Sequence, residues 1–404
     1  FKRITTNKND NLIAVRGKEM DFNLPEELQM LKDNLRRFVD TELIPIERET
    51  NDGTEFLPGV QEKLEEKARD LGLWLFDVPE EYGGLGLGHL SKTVMWEEMA
   101  RTIAVPARNA SIFGPRVSPI LYSLNDEQKE RFLYPVVKGE KTSCFCQTEP
   151  EAGGDPGGIR TTAVRDGDDY IINGHKRFIT GASNADFAQI VTATDREKGS
   201  RGGLTVFLVD MDAPGITKLR QQDMMIADRP WEILFENVRV PASQRVGEEG
   251  DGMRAAQSWL TEGRLRHGAR GVGVITRCLE LAATYANQRS TFGAKLSSRQ
   301  TVQNMLVDMF QNRHQLQLMV YNASWRADQG EDVRKESYMC KYFGDEMSFQ
   351  AADRCMQIHG GMGLTKDLPI EQFFRDQRSM VITEGPTEIL KMALARQILR
   401  DYGE

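Results

Sequence analysis

The sequence predicts an α+β fold in which two helical regions bracket a central β region, and three observations carry that reading. Apolar residues recur at helical spacing in both the first and last thirds of the chain. The middle is rich in Val, Ile, Thr and Phe, with turn residues between the apolar runs. No uninterrupted apolar stretch reaches the length of a membrane span. The expected boundaries are an extension over 1–19, a helical region over 20–142, a β region over 143–247 and a second helical region over 248–404.

Residues 1–19, FKRITTNKNDNLIAVRGKE, show neither an apolar core nor a helical period, so they are set aside as an extension, native or appended. Lys2, Arg3, Lys8, Arg16 and Lys18 also suit a transit peptide, although Asp10, Glu19 and the absence of an amphipathic face weigh against one. From Pro25, Leu28, Leu31, Leu35 and Phe38 mark an amphipathic helix, with Glu26 and Glu27 in its first turn. Further helical patterns run through 59–71, 90–103 and 125–137, interrupted by a glycine-rich loop at 83–88. In the middle region, 143–148, 160–180, 187–194, 203–210 and 232–240 read as strands, and Asn173-Gly174 reads as a hairpin turn. The helical period returns from about 252. Val302, Met305, Leu306, Met309, Leu316 and Val320 form one stripe, and 333–357 forms another. Gly263, Gly268, Gly271 and Gly273 fall within one predicted helix, where each costs about 1 kcal/mol relative to alanine. Close approach of a ligand and tight helix packing explain such a cluster equally well.

A net charge of −8, from 52 basic and 60 acidic residues, argues against whole-surface attraction to nucleic acid or anionic membrane. Any phosphate site must therefore be local. Five scattered cysteines without CxxC spacing suit buried thiols in a reducing compartment: the cytoplasm of a bacterium, or the mitochondrial matrix of a eukaryote. Cys144 and Cys146 would face one side of a strand, as core packing rather than as metal ligands. The five histidines lie far apart and no metal site is expected. The 83–88 loop lacks the flanking strand and long helix of a dinucleotide fingerprint. Gln357 to Gly363 follows a long helical pattern, where it is either a C-cap or a place for a ligand to touch bare backbone. Taken alone, Glu384 is a solvated loop acid or a cap.

Together these segments resemble the acyl-CoA dehydrogenase family over about 385 residues, from Met20 to the C-terminus. The resemblance is carried, in order, by Pro79-Glu80-Glu81-Tyr82-Gly83-Gly84-Leu85-Gly86, Gln147-Thr148-Glu149-Pro150, and Asn173 to Thr180. It continues through Gln288-Arg289-Ser290-Thr291-Phe292-Gly293 with Gln300, then Gln357 to Gly363, and Glu384-Gly385. It implies an N-terminal all-α domain, a central antiparallel β-barrel-like domain and a C-terminal four-helix bundle. It also implies FAD, an acyl-CoA substrate oxidised to its 2,3-enoyl thioester, an electron-transfer flavoprotein as acceptor, and a homotetramer or homodimer.

The chemistry makes sense of the residues. The α C–H of a thioester is a feeble acid, so its removal needs a positioned carboxylate in a dry site and donors for the developing enolate oxygen. By resemblance Glu384 is that base. The donors are its own backbone N–H and a flavin ribityl hydroxyl, and the β hydride goes to flavin N5. Phe145, Thr148, Phe178, Ile179 and Thr180 would hold the flavin ring. Arg289 offers a fixed guanidinium fork to the pyrophosphate. Phe292, Gln300, Gln357, Gly360, Gly361 and Thr387 complete the FAD contacts, partly from a neighbouring subunit. Gly154, Thr261, Arg264 and Gly385 stand at substrate-contact positions.

Several positions depart from the common pattern. Gly154 lacks a usual hydroxyl, Asp228-Arg229-Pro230-Trp231 replaces Arg-Gly-Ser, Thr261 replaces an acid, and Glu384-Gly385-Pro386-Thr387 replaces the commoner Glu-Gly-Thr, removing one polar FAD contact. Some members carry the base at the position of Gly263, which has no side chain, so a roomy pocket for a branched, cyclic or aromatic acyl group is expected there. Competing readings are a nitroalkane oxidase, a flavin monooxygenase, or a non-catalytic acyl-CoA-binding protein. The first generally has aspartate at the position of Glu384 and the second generally has no carboxylate there.

Overall fold

The computed structural model describes residues 23–403 except 54, 107–110 and 227, with the backbone alone at 255–259. The extension expected over 1–19 lies outside the described residues. Helix α1 (Glu26–Phe38) has acids in its first turn and Arg36 and Arg37 in its last, matching the helix dipole at both ends. Its Leu35 and Phe38 bury against Leu64 and Ala68 of α2 (Val60–Asp70) and Met95 and Met99 of α3 (His89–Met99) in one apolar core. The 125–137 pattern is not one helix. It divides into α4 (Asp126–Gln128), capped by Asn125, a π turn over Lys129–Leu133, and α5 (Tyr134–Val137). Pro135 has no N–H to give, so the ladder is broken where a regular helix would need that donor.

Eight strands follow: β1 (Ser143–Cys146), β2 (Thr162–Asp166), β3 (Asp169–Ile179), β4 (Phe187–Ala193), β5 (Leu204–Asp210), β6 (Ile216–Gln221), β7 (Trp231–Pro241) and β8 (Arg245–Val246). The sheet order is β6-β7-β3-β2-β4-β5-β8. Most pairs are antiparallel, while β1 joins β4 in parallel. Every residue of β4 is buried because both faces are covered: Ala188 and Ile190 face the sheet's own core, while Phe187 and Val191 meet Phe132 and Leu133. Cys144 and Cys146 are buried free thiols on one side of β1, their sulfurs 3.8 Å apart.

The hairpin expected at Asn173-Gly174 is not there. Both residues lie inside β3, where a register shift falls between Ile172 and Gly174, and β2 turns into β3 through Gly167, at φ +65°. Glycine is needed at 174 for a different reason: a Cβ would stand 2.2 Å from the Thr161 hydroxyl.

The chain then enters α6 (Gly252–Gln288), crosses a short hairpin of β9 (Ser290–Thr291) and β10 (Ala294–Lys295), and returns as α7 (Gln300–Asp328). It continues with α8 (Arg334–His359), α9 (Ile370–Met380) and α10 (Thr387–Asp401). The glycines of α6 divide between the two explanations. A Cβ at Gly268 would be 3.0 Å from Cys340 Cβ, at Gly271 2.9 Å from the Gly344 carbonyl, and at Gly273 2.0 Å from the Glu97 carbonyl. Those three let α8 and α3 approach closely. Gly263 instead faces a carboxylate. No described helix is long and apolar enough to cross a membrane.

Candidate functional site

A cavity of about 990 Å³ opens between the sheet and the C-terminal helices, at the upper end of the range for small-molecule sites. From the sheet side it is lined by Phe145, Thr148, Gly154, Phe178, Ile179 and Thr180, and from the helical side by Arg264, Glu384 and Gly385. Thr261, on another face of α6, does not line it. Arg289, Phe292, Gln300, Gln357, Gly360 and Gly361 do not line it either. They gather at one end of the helical bundle, where α6 and α8 run in parallel and end together. Tyr285 and His359 stack there with ring centres 4.4 Å apart. Phe292 tips the β9–β10 hairpin, 99% exposed.

Five described non-glycine residues have positive φ: Leu75, Phe178, Asn237, Phe292 and Glu384. Three of them are residues the sequence singled out. Such conformations cost about 1–3 kcal/mol each and persist only where surrounding contacts over-determine them.

The contacts around Glu384 are explicit. It lies on the turn between α9 and α10 at φ +55°, followed by Gly385 at +104°, and this left-handed turn throws its side chain toward α6. Oε2 is 3.4 Å from His267 Nε2 and Oε1 is 3.7 Å from Arg266. A Cβ at Gly263 would sit 2.6 Å from Oε2. The space at Gly263 is thus taken up by the Glu384 carboxylate and is not left for an acyl group.

Behind the turn stands a buried polar chain that sequence reasoning missed. Lys341 is fully buried, and its three N–H donors have three acceptors: the carbonyls of Met380 and Gly385 at 2.7 and 2.9 Å, and Asp345 at 2.9 Å. Asp345 in turn meets His267 Nδ1 at 3.0 Å. An ionised carboxylate only accepts, so Nδ1 carries the hydrogen, and the contact from Nε2 to Glu384 is attractive only with a further proton between them. Asp345 and Lys341 are four apart on α8, an i,i+4 pair whose signal was hidden by the apolar stripe around it.

On the sheet side, Lys176 pairs with Glu149 at 2.8 Å and donates to the Gln147 carbonyl at 2.9 Å, while Glu149 accepts from the N–H groups of Arg160 and Thr161. The pair fastens the 147–150 turn, and with it Thr148, to the strand that carries Phe178 and Thr180. Thr180 donates to Asp228 at 2.7 Å. Lys176→Met strands a buried carboxylate, so we expect a loss of about 3–5 kcal/mol in denaturant unfolding; an unchanged midpoint would show the ion pair to be dispensable.

The residues suit a flavin. Phe178 is a half-exposed aromatic ring facing the cavity beside hydroxyls at 148 and 180. The buried hydroxyl of Thr387, next to cavity-lining Pro386, has no hydrogen-bond partner among the described residues, which is a place for a polar ligand atom. Arg264 is 6% exposed with Nε and Nη1 unpartnered. Burial lowers its pKa, against the opposing influence of Tyr338 and Glu384.

Comparison with known proteins gives three successive domain matches: the acyl-CoA dehydrogenase N-terminal domain over 25–140, the middle domain over 144–238 and the C-terminal domain over 250–399. A 3-(aryl)acrylate reductase of Clostridium sporogenes is 35% identical, covering 93% of this chain and 99% of its own. An (R)-benzylsuccinyl-CoA dehydrogenase of Thauera aromatica is 34% identical, covering 95% and 98%. The structure of butyryl-CoA dehydrogenase from Megasphaera elsdenii superposes with a TM-score of 0.81 at 30% identity, over 94% of this chain and all of the other.

Proposed function

The chain belongs to the acyl-CoA dehydrogenase family of FAD-dependent oxidoreductases, and from that premise we propose that it catalyses α,β-dehydrogenation of an acyl-CoA thioester with Glu384 as base. The observation that carries the proposal is the placement of the Glu384 carboxylate: on a strained left-handed turn, in a cavity whose other wall holds Phe178, Thr148 and Thr180.

FAD, when bound, supplies the acceptor for the β hydride. Glu384 takes the α proton. His267, held by Asp345, and Arg266 fix the carboxylate's direction, so it does not reorganise as the proton arrives. Phe178, Thr148 and Thr180 form the ring-binding wall, and Thr387 offers its hydroxyl nearby. Arg289 and Gln357, at the end of the bundle, are the proposed pyrophosphate contacts. The exposed Phe292, with Val307 and Phe310 on α7 at 61% and 56%, supports a neighbouring subunit at that end, in a homotetramer or homodimer. Electrons would leave to an electron-transfer flavoprotein. Arg264 and Gly385 line the substrate side of the cavity. Gly154 stands at its mouth, where a Cβ would be 3.1 Å from Ile389 of α10.

Anaerobic addition of acyl-CoA thioesters to the FAD-loaded protein tests the proposal: bleaching of the flavin absorbance is expected, and a flavin that stays oxidised with every thioester ends it. One relative is named a reductase, so hydrogenation of an enoyl group through the same residues is the second reading. Bleached flavin that reoxidises with enoyl-CoA but not with an electron-transfer flavoprotein would favour that direction.

Gly263→Ala gives a sharper check on the base. Alanine is better than glycine in a helix by about 1 kcal/mol, so stability should hold or rise. Its Cβ nevertheless takes the place of the carboxylate, and an ångström of displacement costs about 10²-fold in rate. Full activity in that variant would mean that the carboxylate's position does not matter.

A further inference from the structure

The neighbours of Glu384 on α6 and α8 do more than aim its carboxylate, because they also bear on where its proton goes. Oε2 is 3.4 Å from His267 Nε2, while the imidazole is gripped by its other edge. Nδ1 lies 3.0 and 3.2 Å from the two oxygens of Asp345, and Asp345 Oδ2 is 2.9 Å from Lys341 Nζ. The side chains of His267, Asp345 and Lys341 are 4%, 2% and 0% accessible. The chain of polar groups therefore runs from the cavity wall into the interior, away from bulk water.

The spacing at Nε2 tells which form of the ring faces the base. With a hydrogen on Nδ1 committed to Asp345, Nε2 carries one only in an imidazolium. An imidazolium N–H on a carboxylate closes to about 2.7–2.9 Å. The Nδ1 contact comes near that distance and the 3.4 Å contact with Glu384 does not. The longer gap fits a neutral ring that turns a lone pair toward an ionised carboxylate. Two such lone pairs repel, and one proton placed between them converts the repulsion into a hydrogen bond. Arg264, Arg266 and Arg270 line the same cavity as Asp228 and Asp376, so both signs of charge are present and net charge does not decide where that proton sits.

We propose that Glu384 and His267 hold the substrate's α proton jointly. The α C–H bond breaks, its electron pair stays on the thioester as the enolate, and the proton comes to rest between Glu384 Oε2 and His267 Nε2, with Asp345 and Lys341 fixing the ring. The inference rests on the acyl-CoA dehydrogenase reading above and adds a second holder of the proton to it.

The test uses the FAD-loaded protein and an acyl-CoA with sulfur at the β position. Such a thioester can lose its α proton but has no β hydride to give, so the long-wavelength absorbance of its enolate against oxidised flavin reports the proton affinity of the base at equilibrium. His267→Gln puts an amide where the ring was. The amide offers Oε2 an N–H, which steadies the ionised carboxylate, and it has no basic nitrogen to share the proton. The ratio of enolate to intact thioester should therefore fall about 10-fold or more, and kcat for bleaching by an ordinary substrate should fall at least as much, with KM changed less. An unchanged ratio overturns the inference by leaving the ring a packing role. A higher ratio overturns it too, since the ring would then be an imidazolium that weakens the base. Should the glutamine variant fail to fold or to hold FAD, His267→Asn decides by the same two measurements, because it keeps an N–H for Asp345 and leaves no ring nitrogen beside Oε2. In each of these outcomes the wild type still bleaches and the dehydrogenase reading stands. A wild type that forms no enolate with the sulfur thioester, and whose flavin no acyl-CoA bleaches, takes down both.

Discussion

Glu384→Gln is expected to fold, keep FAD and lose turnover by about 10²–10⁴-fold, the range that a positioned general base contributes. Glutamine has nearly the shape of glutamate, and its amide can still meet His267 Nε2 and Arg266, which stand 3.4 and 3.7 Å from the native carboxylate. What it cannot do is accept a proton. The measurement is the anaerobic rate of flavin bleaching by a thioester that reduces the wild type, alongside flavin content per chain. A wild-type rate with full flavin would remove Glu384 from the reaction. Loss of flavin as well would point to a structural rather than a proton-accepting role.

The α+β arrangement was legible because burial imposes its period on the sequence: stripes of 3.6 along α7 and α8, and near-continuous apolar runs in β4 and β5, which are covered on both faces. The hairpin at Asn173-Gly174 was misread because a turn signal and a close-approach signal use the same residue. Only the position of Thr161, distant in spacing rules but adjacent in space, separates the two. Gly263 misled in a related way, since an absent side chain says that something occupies the space but not what. The dehydrogenase motifs located Glu384, yet what holds it comes from α6 and α8. Lys341 and Asp345 look like one more solvated pair on a helix until α9 is placed over them.

Lys341→Met is expected to be the most damaging substitution away from the carboxylate itself. A fully buried ammonium with all three hydrogens satisfied is neutral bookkeeping in the native protein, but removing it takes the cationic partner from Asp345, only 2% accessible and then held by His267 alone, and takes a donor from the Met380 and Gly385 carbonyls of the base-carrying turn. Breaking such a pair costs about 3–5 kcal/mol, so the denaturation midpoint should fall substantially. A second consequence separates anchoring from mere stability. The Gly385 carbonyl lies one residue from the base, and slack in that turn lets the carboxylate drift, so kcat should fall by about 10²-fold at temperatures where the variant is still folded, with KM changed far less. If the folded fraction turned over at the wild-type rate, Lys341 would support the fold alone, and the strained conformation at Glu384 would have to be held by α9 and α10 without it.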